Sequence, residues 1–263
     1  MTVSVYFHDL RRALRYRELI WYRASSEIKA RYKRTLIGPF WTSLSMAIFI
    51  ISFGIIGAKL WNTDVASFMP YFCSGYLTWM LVSTIITESR MIFLSNREIL
   101  NSTAIPIHVF VLELVLRNFI VFAHHLVVYA GVLLFFAYPC NWNLLLMLPG
   151  LLIISLASIC FVSLWGIACT RYHDLGQLSN NLLQIIFFLT PIMWPPKNLA
   201  GDKAHLLVDL NPMYHFVNII RAPMLGETPS AYSYAFTLSI CAILLLLSMR
   251  VFQRFKHRIV FWV

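Results

Sequence analysis

The chain has 263 residues, of which 59% are hydrophobic and only 12% charged, where an ordinary soluble domain is roughly 45–50% apolar and about 25% charged. So little charge excludes a water-soluble globule of this length and requires lipid around most of the outside. The net charge of +10 sits in two clusters beside long apolar runs, nine Lys and Arg before Leu36 and four between Arg250 and Arg258; this suits flanks facing anionic headgroups and not the continuous basic face of a nucleic-acid groove.

Within residues 3–34, Val3, Tyr6, Phe7, Leu10, Leu14, Ile20 and Trp21 interleave with Arg11, Arg12, Arg15, Arg17 and Arg23. This is the pattern of a basic amphipathic helix, so residues 1–35 are expected to lie as one cytoplasmic helix in the membrane interface. The stretch has no short apolar core of the kind a cleavable signal peptide needs, so insertion is led by the first spanning helix.

A bilayer core of about 30 Å needs about 20 helical residues, and charge-free runs mark the spans. The first two are residues 36–58 and 65–87. No Asp, Glu, Lys or Arg occurs between Asn118 and Thr170, and Tyr138-Pro139-Cys140-Asn141-Trp142-Asn143 splits that run as a turn, giving spans 107–137 and 144–169. A fifth, 175–196, is shortened by Thr190-Pro191 and closed by Pro195-Pro196; the sixth is 228–249. The expected fold is thus all-α and integral to the membrane, a transmembrane domain over residues 36–252 followed by a basic cytoplasmic tail, 253–263. With both ends inside, cytoplasmic segments hold sixteen Lys and Arg, and the outer loops hold Lys59, Lys197, Lys203 and Arg221. That asymmetry sets the orientation.

Two polar segments carry more pattern than a connector needs. Ser89 to Pro106 keeps a helical arrangement around Asn96-Arg97-Glu98, a short helix able to dock a cytoplasmic partner. Lys197 to Thr228, bounded near its end by Pro212 and Pro223, suits short re-entrant or interfacial helices before the last span.

The sequence contains no GxxxxGK[ST], HExxH, GxSxG or GxGxxG, and its five cysteines show no CxxC or metal-ligand spacing. No metal, cofactor or catalytic residue is expected on this chain, and energy for transport must come from an ion gradient or a separate subunit. Ion-coupled carriers place several ionisable groups at membrane depth. Here Glu113 and Arg117, four apart, read as a structural intramembrane ion pair. Glu88 falls at the cytoplasmic end of the second span, in water. His124 and His125 read as packed neutral histidines, one of them able to face a cavity. Trp41, Trp61, Tyr71, Trp142, Trp194, Tyr214 and Tyr232 lie near span ends, as an interfacial belt does; some could instead line a passage and stack on sugar rings. Asn101-Ser102-Thr103 matches a glycosylation acceptor on the wrong side of the membrane.

Several segments together resemble the membrane subunits of ABC-2 type exporters, specifically the polysaccharide and lipopolysaccharide O-antigen permeases. They are Arg31-Tyr32-Lys33-Arg34 with Gly38 and Trp41; Asn96-Arg97-Glu98-Ile99-Leu100 followed by Ile105-Pro106; and Arg171-Tyr172-His173-Asp174-Leu175, with His173 where Arg is commoner. Thr190-Pro191-Ile192-Met193-Trp194 and Asn211-Pro212 followed by Arg221 complete the order. The resemblance implies a homodimer in the bacterial inner membrane over two copies of a separate subunit that binds ATP and magnesium, forming a channel for a lipid-linked polysaccharide. The interface helix and the 89–106 loop would face that ATPase. Asn96, Arg97, Glu98, Ile99, Leu100, Arg171, Tyr172 and Asp174 are the expected coupling residues. Trp41, Tyr71, Trp194, Tyr214, Asn211, Pro212 and Arg221 are the candidate lumen and gate. Capsule and teichoic-acid permeases share these segments. A membrane glycan-modifying transferase is the alternative from another class, and no polar cluster with a base stands out for it.

Overall fold

The computed structural model describes residues 2–31, 33, 38, 40–139, 141–196 and 208–263, and every element among them is helical. The interface segment is two helices, not one. Helix α1 (Thr2–Leu14) and α2 (Arg17–Arg31) meet where the N–H groups of Arg15 and Tyr16 donate three residues back, to Arg12 and Ala13, the tighter turn that ends an α-helical register. The break turns two different faces inward: Tyr6, Asp9 and Ala13 from α1, and Ile20, Ala24 and Ile28 from α2. Both helices pack on the start of the long helix that begins at His108.

The long helices are α3 (Phe40–Leu60), α4 (Val65–Ser89), α6 (His108–Phe135), α7 (Met147–Arg171) and α10 (Ala231–Phe255). Between α4 and α6 lies the short α5 (Arg97–Ser102). Among the described residues, five helical stretches are long and apolar enough to cross a membrane: Phe40–Leu60, Val65–Ser89, His108–Phe135, Trp142–Arg171 and Ala231–Trp262. The last includes a terminal turn and α11 (Ile259–Trp262). The segment expected as the fifth span forms α8 (Asp174–Leu189), 16 residues. It stops at Thr190 because Pro191 has no N–H and its ring pushes the preceding residue out of the helical region.

Helix α4 is the axis: 61% of its apolar stretch is buried, against 22–33% for the other four. Around it, α3 packs on α6, α6 on α7 and α7 on α8, and all four touch α4. Among the described residues no extensive packing joins α8 back to α3, which leaves one flank of α4 open.

Helix α9 (Pro212–Met224) wedges between α4, α7 and α10. Its 13 residues reach about 20 Å, too short to cross. Asn211 caps its start by accepting from the N–H groups of Met213 and Tyr214, and Gly226, at φ +78°, lets the chain turn away at its end. Gly150 in α7 permits its seating: a Cβ there would lie 2.8 Å from the Ile219 carbonyl oxygen. Of the outer segment expected to hold re-entrant helices, residues 197–207 lie outside the described residues.

Candidate transport site and coupling elements

At the end of the bundle that carries α1 and α2, Arg117 sits among three carboxylates. Its guanidinium lies 2.8 Å from Glu113 and 2.9 Å from Glu88, and it also pairs with Glu27. Glu88 accepts further bonds from Asn118 at 2.9 Å and Arg31 at 3.0 Å. The expected solvated Glu88 is therefore corrected. Its side chain is 20% exposed because the first turns of α6 and the end of α2 close over it. The cluster fastens α2 to α4 and α6 with charges that nearly cancel, which is what makes burial of Arg117 and Glu113 affordable.

A second polar knot lies under α1. Buried Asp9 accepts from the His108 N–H at 3.2 Å, lies 2.9 Å from His108 Nδ1, and accepts from Lys256 Nζ at 2.9 Å. Burial alone would raise the Asp9 pKa, but the bonds from His108 and Lys256 outweigh it and hold the carboxyl at about 2. Tyr6 and Phe252 pack their rings against His108. This contact brings α1 and the tail after α10 to the same end of the bundle.

The expected coupling residues divide by exposure. Arg97, Glu98, Arg171, Tyr172 and Asp174 are exposed, Ile99 is half-buried and Leu100 is buried. Asn96 points inward, donating to the Ile92 carbonyl at 2.7 Å and accepting from Arg23 at 2.5 Å, so it holds the loop against α2. Arg171 lies over the Trp262 ring at 5.5 Å.

At the opposite end, the carbonyls freed after α8 by Pro191 are caught by side chains from three elements. Arg221 donates to the Pro191 carbonyl at 2.7 Å. Tyr71 bridges the Pro191 and Trp194 carbonyls at 2.9 and 3.2 Å, and Trp61 donates to that of Met193 at 2.9 Å. Asn211 donates to Thr190 Oγ1 at 3.0 Å. Arg221 is buried under the Tyr71 ring at 4.4 Å, with Tyr214 5.9 Å away on the Arg221 side, and no carboxylate pairs with it among the described residues. Tyr71, Trp194, Asn211, Pro212, Tyr214 and Arg221 thus form one assembly. Trp41 does not join it; it is 54% exposed at the other end of α3, about 30 Å along a 21-residue helix.

The open flank of α4 carries residues that the sequence reading passed over. Tyr76, Met80, Ser83, Thr84 and Thr87 are half-exposed along one stripe. Beside them, α8 exposes Asp174, Gln177, Asn181 and Gln184 on one half of its outer face, and Leu178, Leu182, Ile185 and Leu189 on the other. Three amides at intervals of four and three within an apolar run were the available signal. Across the gap, α3 contributes Thr42 and Ser45 to a cavity of about 430 Å³ shared with Tyr76, Thr84 and His125. His125 Nε2 is buried there without a partner among the described residues, while His124 Nδ1 is 2.7 Å from the Ile120 carbonyl. Cys73, Cys160 and Cys169 are buried free thiols and Cys241 is half-buried; Cys140 lies outside the described residues.

A multi-pass helical bundle with a polar flank along one of its long helices has the anatomy of a transporter's membrane subunit. The sequence profile of the ABC-2 type transporter matches residues 18–225, and the chain belongs to that family. The O-antigen export system permease protein RfbA of Myxococcus xanthus is 23% identical over 215 residues, covering 81% of this chain and 82% of that protein. Two proteins of the same name from Klebsiella pneumoniae are 21% and 22% identical over 243 and 241 residues, covering 89% of this chain and 90% of each relative. The family match spans α2 to α9, and leaves Asp9 and Lys256 outside.

Proposed function

We propose that this chain is the permease subunit of an ABC exporter that moves lipid-linked O-antigen polysaccharide across the bacterial inner membrane. It works as a homodimer with two copies of a separate subunit that binds ATP and magnesium. The observation that carries the reading is the open flank of α4. Exposed amides and hydroxyls at membrane depth are costly against lipid, where nothing satisfies them, so two copies facing each other across this flank would enclose a wet passage. Beyond the charges at its Asp174 and Glu88 end, the wall between α4 and α8 presents neutral donors and acceptors with aromatic faces, which suits a hydroxyl-rich polymer better than an ion.

The same geometry supports a six-span topology. Asp9 and Lys256 meet, which favours both ends of the described chain on one side and an even number of crossings. Helix α8 supplies the sixth: its first turn packs Gly176 against Arg90 near the α1–α2 end, and the turn after it is held by Trp61 and Arg221 at the other. Sixteen residues rise about 24 Å, and the Thr190–Trp194 turn makes up the rest. The basic end, with the exposed Arg97, Glu98, Tyr172 and Asp174, faces the cytoplasm and receives the ATPase. The Tyr71–Arg221 assembly, with α9 as a re-entrant helix, forms the outer gate. Movement of the docked end is passed to α4 and α6 through the Arg117 cluster as a rigid-body shift.

Co-purification of the chain with a candidate ATP-binding subunit from the same cell tests the reading. The pair is expected to associate, to lose association in a Glu98→Arg, Asp174→Arg double variant, and to be required for surface O-antigen. A deletion strain that still displays O-antigen overturns the assignment.

A further inference from the structure

Opposite the open flank of α4, the seam between α6 and α7 holds a groove of about 830 Å³. Leu112, Leu116 and Phe119 of α6 and Leu148 and Leu152 of α7 form its walls, and Ile20 and Trp21 of α2 close one end. Arg17, the first residue of α2, stands at that rim. Ser155 is the one other polar residue in the lining. The groove is open: Leu152 is 65% exposed and Trp21 59%.

A trough apolar but for Ser155, with a single cation where it reaches the interface, matches an amphiphile with a long tail and an anionic head. The neighbouring charge favours the same occupant. Arg11, Arg12 and Arg15 of the α1–α2 elbow are exposed, and Asp9 is consumed by Lys256 and His108, which leaves Glu18 as the elbow's one exposed carboxylate. A second copy of this chain would bring another basic elbow against the first. The elbow meets α6 through an apolar patch, Ala13, Ile20 and Val109, between the Asp9–His108 contact and the Arg117 cluster. A tail laid in the trough would add contact along Ile20 and Trp21.

We propose that this groove binds one anionic phospholipid, its acyl chain between α6 and α7 and its phosphate on Arg17, and that the lipid secures the α1–α2 elbow to the bundle. The inference stands apart from the polymer transported. The test places the full chain in nanodiscs of equimolar phosphatidylglycerol and phosphatidylethanolamine with identical acyl chains, and weighs the lipid retained on release in a mass spectrometer. The wild type is expected to keep one phosphatidylglycerol per chain in preference to phosphatidylethanolamine. Arg17→Gln is expected to reduce that preference about fivefold, the worth of one cationic side chain at an anionic surface. Leu152→Trp, which fills the trough, removes the retained lipid whatever its head. Leu156→Trp, one turn along the same exposed face and outside the groove, retains it. Arg17 and Leu152 are exposed, so neither change strikes the core. Equal retention of the two headgroups by the wild type, the same retention in Leu152→Trp and Leu156→Trp, or a polypeptide released in place of lipid overturns the proposal.

Discussion

Arg117 is the residue whose loss the fold should feel most. Replacing it by Met leaves Glu113, 2% exposed at its side chain, with no cation in contact, and removing one partner of a buried pair costs about 3–5 kcal/mol. Glu27→Gln should cost about 0–1 kcal/mol, because that side chain is 43% exposed and screened. Thermal unfolding in detergent checks the ranking; equal losses would show that the cluster is not organised around Arg117. Asp9→Asn should cost about 1.5–3 kcal/mol at neutral pH through the weakened bond to Lys256. The Asp9 carboxyl is depressed from an ordinary 3.8 to about 2, so its contribution is complete above 3.8 and is lost as pH falls through about 2. The stability that Asp9 ionisation adds to the wild type over Asp9→Asn should therefore persist down to about pH 4 and be lost only below that.

At the scale of elements, α7 and α9 meet through Gly150, and the obstacle to a side chain there is backbone, which cannot swing away. Gly150→Val should push α9 off α7, cost about 1–3 kcal/mol as overpacking does, and loosen the Arg221 assembly that α9 carries. Protease sensitivity between α8 and α10 would report it; unchanged sensitivity would mean that α9 is held by its cap and by Arg221 alone. The long helices were legible because lipid writes its thickness into charge-free runs. The disturbance at Thr190-Pro191 was legible because proline's missing N–H acts locally, although the span was expected to run on to residue 196 and the helix ends at Leu189. The break at Arg15-Tyr16 was not. It exists so that two faces of one basic segment can each meet α6, and one of those faces includes a carboxylate that amphipathic spacing assigns to water. Glu88 was misjudged for the same reason: its partners, Arg31 and Arg117, are 57 and 29 residues away in sequence. The Glu113–Arg117 spacing was readable because a helix turn sets it.

For the whole molecule, the decisive feature is the polar flank of α4 that α3 and α8 leave uncovered. Single cysteines at Asn181 and Gln184, in a background without native cysteines, should react with a water-soluble maleimide in intact membranes. Cysteines at Leu182 and Ile185, on the other half of the same exposed face, should react slowly. Uniform reaction along α8 would remove the case for a wet passage against α4. Gln177, Asn181 and Gln184 could have been found from sequence by asking why a span would hold three amides at helical intervals. Which neighbour leaves them uncovered is decided only when α3 and α8 stop short of each other.

The Asp9–Lys256 contact also bears on how the protein is made. Its partners are 247 residues apart, so at about 5–20 residues per second of synthesis the carboxylate waits roughly 12–50 s for its lysine. For much of that interval His108 is already made and Asp9 still lacks its cation. The seating of the first helix is thereby completed only with the last one. A nascent chain stopped anywhere before the final helix carries an unfilled acidic site at its start, a mark by which unfinished copies differ from finished ones.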